Sequence, residues 1–382
     1  MQRQTFFESM QLAFQVNPIV VLLGPRQCGK TRLARQYFKS YFKTDNVTSP
    51  NYFDLEDFED LERLIDPRLA LGSLKGLIVI DEIQKRPDLF PMLRVLIDAN
   101  RQTQRYLILG SASRDLIRQS SETLAGRISY IELTPFNFSE TKSIEQLWSR
   151  GGFPLSYLAA TDLNSFAWRK AYIQTFLERD IPALGINIPA QQLHRAFSML
   201  THYHGQIMNA SEIGKSLFLS DKTIRNYVDI LCGTFMIREL KPYFINIKKR
   251  QVKSSKIYFR DSGILHALQG LADFNALLTQ PKLGASWEGF ALEEVIRYHK
   301  FSEEDCYFWS THGNAELDLY VDALPKRMGF EFKYSSAPKL TSSMLTSLSD
   351  LKLDKITVIY PGKKRFLIHE KVEVVGLEVY LS

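Results

Sequence analysis

The sequence predicts an α/β protein, with a parallel sheet wrapped by helices at the front and a second, mixed α/β unit at the back. Three observations carry this prediction. Fully apolar runs of strand length, "IVVLL", "LIVI" and "YLILG", recur in the first 140 residues, as in strands buried on both faces. Segments with apolar residues at helical spacing lie between them, and such alternation builds parallel sheets. Beyond residue 300 the chain returns to closely spaced β-branched and aromatic runs, "CYFWST", "ELDLYV", "GFEFKYS", "KITVIYPG" and "VEVVGLEVYL", each read as a strand.

The elements follow in order. "NPIVVLLG" is a buried strand ended by Gly24, and "TRLARQYFKSYF" is the helix after it. "LKGLIVIDEIQ" is a second strand ending in acids, "DLFPMLRVLIDAN" a helix and "RYLILGSAS" a third strand. "GRISYIELTPF" alternates and reads as a fourth. From about 141 to 200 the pattern is helical. Asn209 and Glu212 then form an N-cap pair opening "ASEIGKSL", and Ser220 caps "DKTIRNYVDILCG". In that second helix Ile224, Tyr227, Val228 and Leu231 make one apolar face, and Gly233 ends it. "GASWEGFALEEVIRYHK" is helical. The expected boundaries are 1–140 for the first unit, 141–200 for a helical lid, 201–260 for a helix-turn-helix with a wing, and 261–382 for the last unit.

Composition is that of a globular chain, 45% hydrophobic and 24% charged, without a disorder signature. No apolar run approaches the ~18 residues of a membrane helix, and "MQRQTFFESM" lacks a signal-peptide core. Cys28, Cys232 and Cys306 have no metal or disulfide spacing, as expected in a reducing cytoplasm. Net charge is +6. Between Lys241 and Arg260 stand seven basic residues, among them Lys248, Lys249, Arg250 and Lys256, and no acid, with Tyr243, Phe244, Tyr258 and Phe259 interleaved. That pattern suits a polyanion surface, or equally a ribbon edge kept charged against aggregation.

Gly24-Pro25-Arg26-Gln27-Cys28-Gly29-Lys30-Thr31 fits G-x-x-x-x-G-K-[ST] between a buried strand and a helix. The glycines let successive amides turn inward on a phosphate, and the helix start adds its positive dipole end. The expected nucleotide contacts are Gly24 through Arg32 with Asp81 and Ser111, and the expected cofactors are ATP and Mg²⁺. Lys30 would neutralise the β- and γ-phosphates and Thr31 would ligate Mg²⁺. Asp81 would hold the Mg²⁺ shell, and Glu82 would orient and deprotonate the attacking water. Ser111 and Ser113 stand where a side chain would sense the γ-phosphate, or are simply small turn residues. Arg127 is either a finger completing a neighbouring copy's site in a homo-oligomer or a surface arginine. Arg169 and Arg179 are weaker candidates for a γ-phosphate contact. Cys28, beside Lys30 and a helix start, is expected to sensitise the loop to alkylation.

Downstream, Lys222, Thr223, Arg225 and Asn226 lie opposite the apolar face of the second helix, and with Lys248, Lys249 and Arg250 they form the expected DNA or RNA contact. The alternative is a packing module. In the last unit Glu288, Asp318 and Glu331 would form a second, two- or three-carboxylate Mg²⁺ site, with Lys333 polarising a water or steadying a scissile phosphate.

The chain resembles a prokaryotic group of AAA-type (AAA+) ATPases that carry a C-terminal region of winged-helix plus restriction-endonuclease-like, PD-(D/E)XK, fold. The blocks that carry the resemblance run nearly end to end: "GPRQCGKT", "IVIDEIQKRPDLFPMLRVLID", "LILGSASR", "LAGRISYIELTPFNFSE", "FLERDIPALG", "SDKTIRNYVDIL", "KIYFRDSGI" and "FEFKYSSAPKL". The resemblance implies an ATP-binding module followed by a nuclease-like tail. One departure is that Ser111 or Ser113 occupies the region of the usual sensor asparagine. Three functions follow as expectations: an ATPase acting on nucleic acid through the winged helix and nuclease-like unit, an ATP-driven switch whose nuclease-like unit is catalytically silent and docks a partner, or a DNA-free protein-remodelling ATPase.

Overall fold

The computed structural model describes residues 3–43, 50–111, 124–244, 254–311, 315–323 and 326–382. Ser113, Lys248, Lys249 and Arg250 fall outside the described residues. The chain forms two compact units, the first comprising 1–135, 180–186 and 230–235, and the second 136–179, 187–229 and 236–382.

The first unit is built on β1 (Ile19–Leu23), β2 (Tyr52–Asp54), β3 (Gly76–Asp81), β4 (Gln104–Gly110) and β5 (Ile128–Glu132). Their order is β2-β3-β4-β1-β5, and every neighbouring pair is parallel. Both faces are covered, which explains the unbroken apolar runs. Val20, Leu22, Leu77, Val79, Leu107 and Leu109 pack with Leu33, Ala34, Tyr37 and Phe38 of the helix Lys30–Phe42. The alternate residues Ile19, Val21, Ile78, Ile80 and Ile108 pack with Leu89, Phe90, Leu93 and Ile97 of the helix Leu89–Asn100. Strand β2 was not expected from sequence. Three residues are too few to show periodicity, and pairing to β3 defines it.

The second unit carries β6 (Gln206–Ile207), β7 (Ile237–Pro242), β8 (Lys256–Phe259), β9 (Cys306–Ser310), β10 (Glu316–Ala323), β11 (Lys326–Phe332), β12 (Lys355–Tyr360), β13 (Arg365–His369) and β14 (Val372–Gly376). They make one mixed sheet in the order β13-β14-β12-β11-β10-β9-β7-β8-β6. β7 pairs antiparallel with β8 and parallel with β9, so the expected wing strands and the C-terminal strands share one sheet. The helix Leu283–His299 is buried along most of its length. Its Trp287 meets Trp148 edge-on at 5.2 Å between ring centres.

One expectation is corrected, and one strand is new. "VEVVGLEVYL" is not one strand. Its second half is the helix Leu377–Leu381, because Leu377 and Leu381, four apart, are both buried. β13, largely exposed, had no apolar pattern to announce it. Among the described residues no helix is long and apolar enough to cross a membrane.

Candidate functional sites

In the first unit the C-terminal ends of β1, β3 and β4 lie side by side, since Leu23 pairs with Gly110 and Ile80 with Ile108. Open parallel sheets bind ligands at this edge. The loop after β1 is shaped by backbone demands. A Cβ at Gly24 would stand 2.1 Å from the carbonyl oxygen of Leu133, so only glycine fits. Gly29 adopts φ 101°, a left-handed conformation, directly before the helix Lys30–Phe42. Arg3, almost fully buried, braces the loop by donating to the carbonyls of Cys28 at 3.0 Å and Thr134 at 2.8 Å. Sequence reasoning missed this arginine, since nothing local links residue 3 to residues 28 and 134.

Lys30 is buried, and its ammonium donates to the carbonyls of Gly24 and Pro25, both at 2.8 Å. Asp81 ends β3 and is 1% exposed. It accepts from the Thr31 hydroxyl, from the Tyr52 hydroxyl at 3.2 Å and from the amide of Glu82 at 3.0 Å. Burial pushes its carboxyl up to about 6, against the opposing pull of the Thr31 hydrogen bond. The structure therefore brings Lys30, Thr31 and Asp81 together at the loop. Glu82 sits in a left-handed conformation, φ 58°, which turns it away from the strand. Gln84 donates to its carboxylate and, at 2.9 Å, to the hydroxyl of Ser111. Gln84 thus ties Glu82 to Ser111. No local signal marks it, because a lone glutamine has no motif.

Arg26 reaches three acids, Asp180 at 2.5 Å, Glu56 at 2.8 Å and Glu82 at 3.7 Å. Arg32 points to solvent and Gln27 is exposed. Arg127 lies elsewhere, held by Asp98 through Nε at 2.7 Å and Nη2 at 3.1 Å. Two expectations are corrected. Cys28 is fully buried with its thiol against the Leu133 carbonyl at 3.4 Å, and burial raises its pKa, so it is not poised for alkylation. Arg169 is buried in the second unit and donates to the carbonyls of Gly263 at 2.9 Å and Ser149 at 3.3 Å, so it is a structural brace there.

The residues at this loop fit a Mg²⁺–nucleotide complex. A left-handed Gly29 opening a helix, a buried ammonium bonded to two neutral carbonyls, and a hydroxyl–carboxylate pair match a triphosphate tail and a hard cation.

The second unit holds a separate polar cluster. Leu319 of β10 faces Phe330 of β11, which brings Asp318 beside Glu331. Asp318 Oδ2 accepts from the amide of Phe332 at 2.9 Å and from Lys333 Nζ at 3.3 Å, while Lys333 Nζ lies 2.6 Å from Glu331. Glu288 accepts from the Tyr258 hydroxyl at 2.6 Å. All four expected residues therefore converge. An unexpected fifth, Lys256 of β8, stands among them, 3.6 Å from Glu288 and 3.9 Å from Asp318, and it also bonds Glu316. Burial lifts Glu288 to about 7 and, with the Asp318 charge, pushes Glu331 well up. The two lysines outweigh burial and hold Asp318 low. Among the described residues no group of three or more His, Cys, Asp and Glu side chains is arranged to hold a metal ion.

In the basic stretch 241–260 Lys241 and Phe244 are exposed, 245–253 lie outside the described residues, and the C-terminal part differs from a surface reading. Lys256 is 4% exposed, Tyr258 and Phe259 are buried, and Arg260 leans on Glu293 at 3.8 Å. These side chains belong to the interior and not to a surface patch. On the helix Asp221–Gly233, Lys222 and Asn226 are exposed and Thr223 and Arg225 half-buried, with Arg225 bonded to Glu239 at 3.2 Å. Ile224, Tyr227 and Val228 are buried on the other face, as read from the spacing.

Residues 16–142 match a family model described as an AAA domain. Residues 141–275 and 283–380 match two domains of unknown function, DUF8612 and DUF4143. The uncharacterized protein Rv2008c of Mycobacterium tuberculosis is 45% identical over 383 residues, spanning 100% of this chain and 85% of that protein. The uncharacterized protein MJ1544 of Methanocaldococcus jannaschii is 22% identical over 378 residues, 90% of this chain and 81% of its own length. Among solved structures, a Walker-type ATPase of Pyrococcus abyssi shares 14% identity at a TM-score of 0.47, covering 70% of this chain and 95% of that one.

Proposed function

The chain belongs to the family of the mycobacterial protein Rv2008c and begins with an AAA-type P-loop domain; from that premise we propose that it is a Mg²⁺-dependent ATPase whose cycle acts on nucleic acid through the second unit. The observation that carries the first half is the buried Lys30 ammonium beside the Thr31–Asp81 pair. Bound Mg²⁺ supplies charge neutralisation across the phosphates. Lys30 exchanges two neutral carbonyl partners for phosphate oxygens, which leaves no charge stranded. Thr31 and Asp81 orient the cation's shell. Glu82 takes a proton from the attacking water, and Gln84 fixes where that carboxylate points while linking it to Ser111.

Calorimetric titration with ATP and Mg²⁺, together with phosphate release, tests this reading. Glu82→Gln is expected to bind ATP with unchanged affinity and to turn over ~10²–10⁴-fold more slowly. Normal turnover in that variant removes Glu82 from the role.

The nucleic-acid half is supported by the exposed face of the helix Asp221–Gly233. Lys222 and Asn226 present a cation and a base-edge donor there, opposite the buried apolar face. Fluorescence anisotropy with a duplex and a single strand, each at several salt concentrations, tests it. A salt slope that drops by about 1 in Lys222→Ala supports the contact. Binding without salt dependence, or none, counts against it.

A further inference from the structure

The feature that ATP hydrolysis leaves unexplained is the lysine among the carboxylates of the second unit. A divalent cation needs several oxygen ligands converging with their lone pairs available. In this cluster an oxygen of each carboxylate already has a donor or an ammonium beside it. Asp318 Oδ2 is taken by the Phe332 amide and by Lys333, and Glu331 by Lys333. Glu288 Oε1 takes the Tyr258 hydroxyl and faces Lys256, which also faces Asp318 Oδ1 and bonds Glu316. Lys256 is not a surface side chain that wandered in. It issues from β8, its side chain is 5% exposed, and its ammonium lies over the Phe308 ring, 5.6 Å from the centroid. A buried ammonium with three acids around it cannot leave without stranding the two buried ones, Glu288 and Asp318. As arranged, the donor set does not fit a divalent ion.

We propose that Lys256 is the resident cation of this site. Its ammonium sits where Glu288, Asp318 and Glu316 would otherwise converge on a metal, so, on the nucleic-acid reading above, the second unit engages nucleic acid without a divalent ion and without cutting phosphodiester bonds. Lys333 closes the other side of the same cluster through Asp318 and Glu331. The site is then a charge-neutralised keystone joining β8, β10, β11 and the helix Leu283–His299. It is independent of the nucleotide chemistry of the first unit, and the two ideas can fail separately.

The test is a Mn²⁺ titration of the full chain without nucleotide, read by calorimetry and by the Mn²⁺ paramagnetic resonance signal. Wild type is expected to show no binding that Asp318→Asn removes. Lys256→Met is expected to gain a Mn²⁺ site at least tenfold tighter than anything in wild type, and Lys256→Met/Asp318→Asn to lose it. Lys256→Gln, which keeps a hydrogen-bonding side chain, carries the same expectation should the methionine variant fail to fold. Wild-type Mn²⁺ binding that disappears in Asp318→Asn overturns the proposal by itself. So does a folded Lys256→Met or Lys256→Gln that gains no site. Asp318-dependent cleavage of single- or double-stranded DNA with Mn²⁺ overturns it as well.

Discussion

Two lysines in this chain are almost equally buried and opposite in use. Lys30 of the first unit is 5% exposed and bonds two neutral carbonyls. Lys256 of the second is 4% exposed and faces three carboxylates. An ammonium bonded to carbonyls keeps its full charge to offer to an incoming anion, and moving it strands no opposite charge. An ammonium among carboxylates is already spent, and its neighbours depend on it. The acids differ in the same sense. Asp81 has hydroxyl and amide partners and stays open to a cation, while Asp318 and Glu331 are closed by lysines. Burial alone does not mark a binding lysine; the charge of its partners does.

Paired substitutions at the two lysines carry the largest expected effects. Lys30→Met is expected to weaken ATP binding at least ~100-fold, about 2.7 kcal/mol, with only a small loss of stability. Lys256→Met is expected to leave ATP affinity unchanged and to destabilise the second unit by ~3–5 kcal/mol, the usual result of removing one partner from a buried ion pair. ATP titration and denaturant unfolding of both variants read the two effects. A Lys256→Met variant as stable as wild type ends the contrast.

Acid separates the units next. His204 and His266 are buried in the second unit, and desolvation lowers both to about 3. Their neutral forms are favoured by folding, so the stability they contribute is present above the unfolded value near 6.5 and is lost as pH falls toward 3, by up to ~1.4 kcal/mol per pH unit each. Asp81 in the first unit has the opposite sign. Its raised pKa of about 6 means that its share of stability grows as pH falls from 6 to 4. All four tryptophans, Trp148, Trp168, Trp287 and Trp309, belong to the second unit, so indole fluorescence reports its unfolding alone. That transition is expected to move to lower pH in His266→Gln. An unmoved midpoint removes His266 as the cause.

The smallest expected effect is at Arg26. Arg26→Lys replaces a fork spanning Asp180, Glu56 and Glu82 by a single point charge. Turnover is expected to change by less than ~10-fold, near 1 kcal/mol, with ATP affinity nearly constant. Steady-state kinetics with the affinity measured separately distinguishes this from a binding defect.

How much of this was legible follows from distance along the chain. The loop Gly24–Thr31, the strand-end Asp81 and the helix Asp221–Gly233 were readable because each rests on a local pattern: a motif between strand and helix, an acid after four apolar residues, a helical spacing. Asp318, Glu331 and Lys333 were readable as a set because a strand repeats every two residues. Gln84 and Arg3 were not, since their partners Ser111, Cys28 and Thr134 are brought to them only by the sheet. Lys256 was read as part of a basic surface stretch. Only the pairing of β7 with both β8 and β9 draws it into the same sheet as β10 and turns it inward.

By itself, then, the sequence determined which residue types were available and what the backbone does near each: an anion-binding loop before a helix, apolar strands covered on two faces, an E-x-K pair on one side of a strand. The tertiary structure alone decided the state of those groups. Electrostatic partnership depends on separations of a few ångströms between residues far apart in sequence. It was the fold that gave Lys30 neutral partners, gave Lys256 charged ones, and hid Cys28 from solvent.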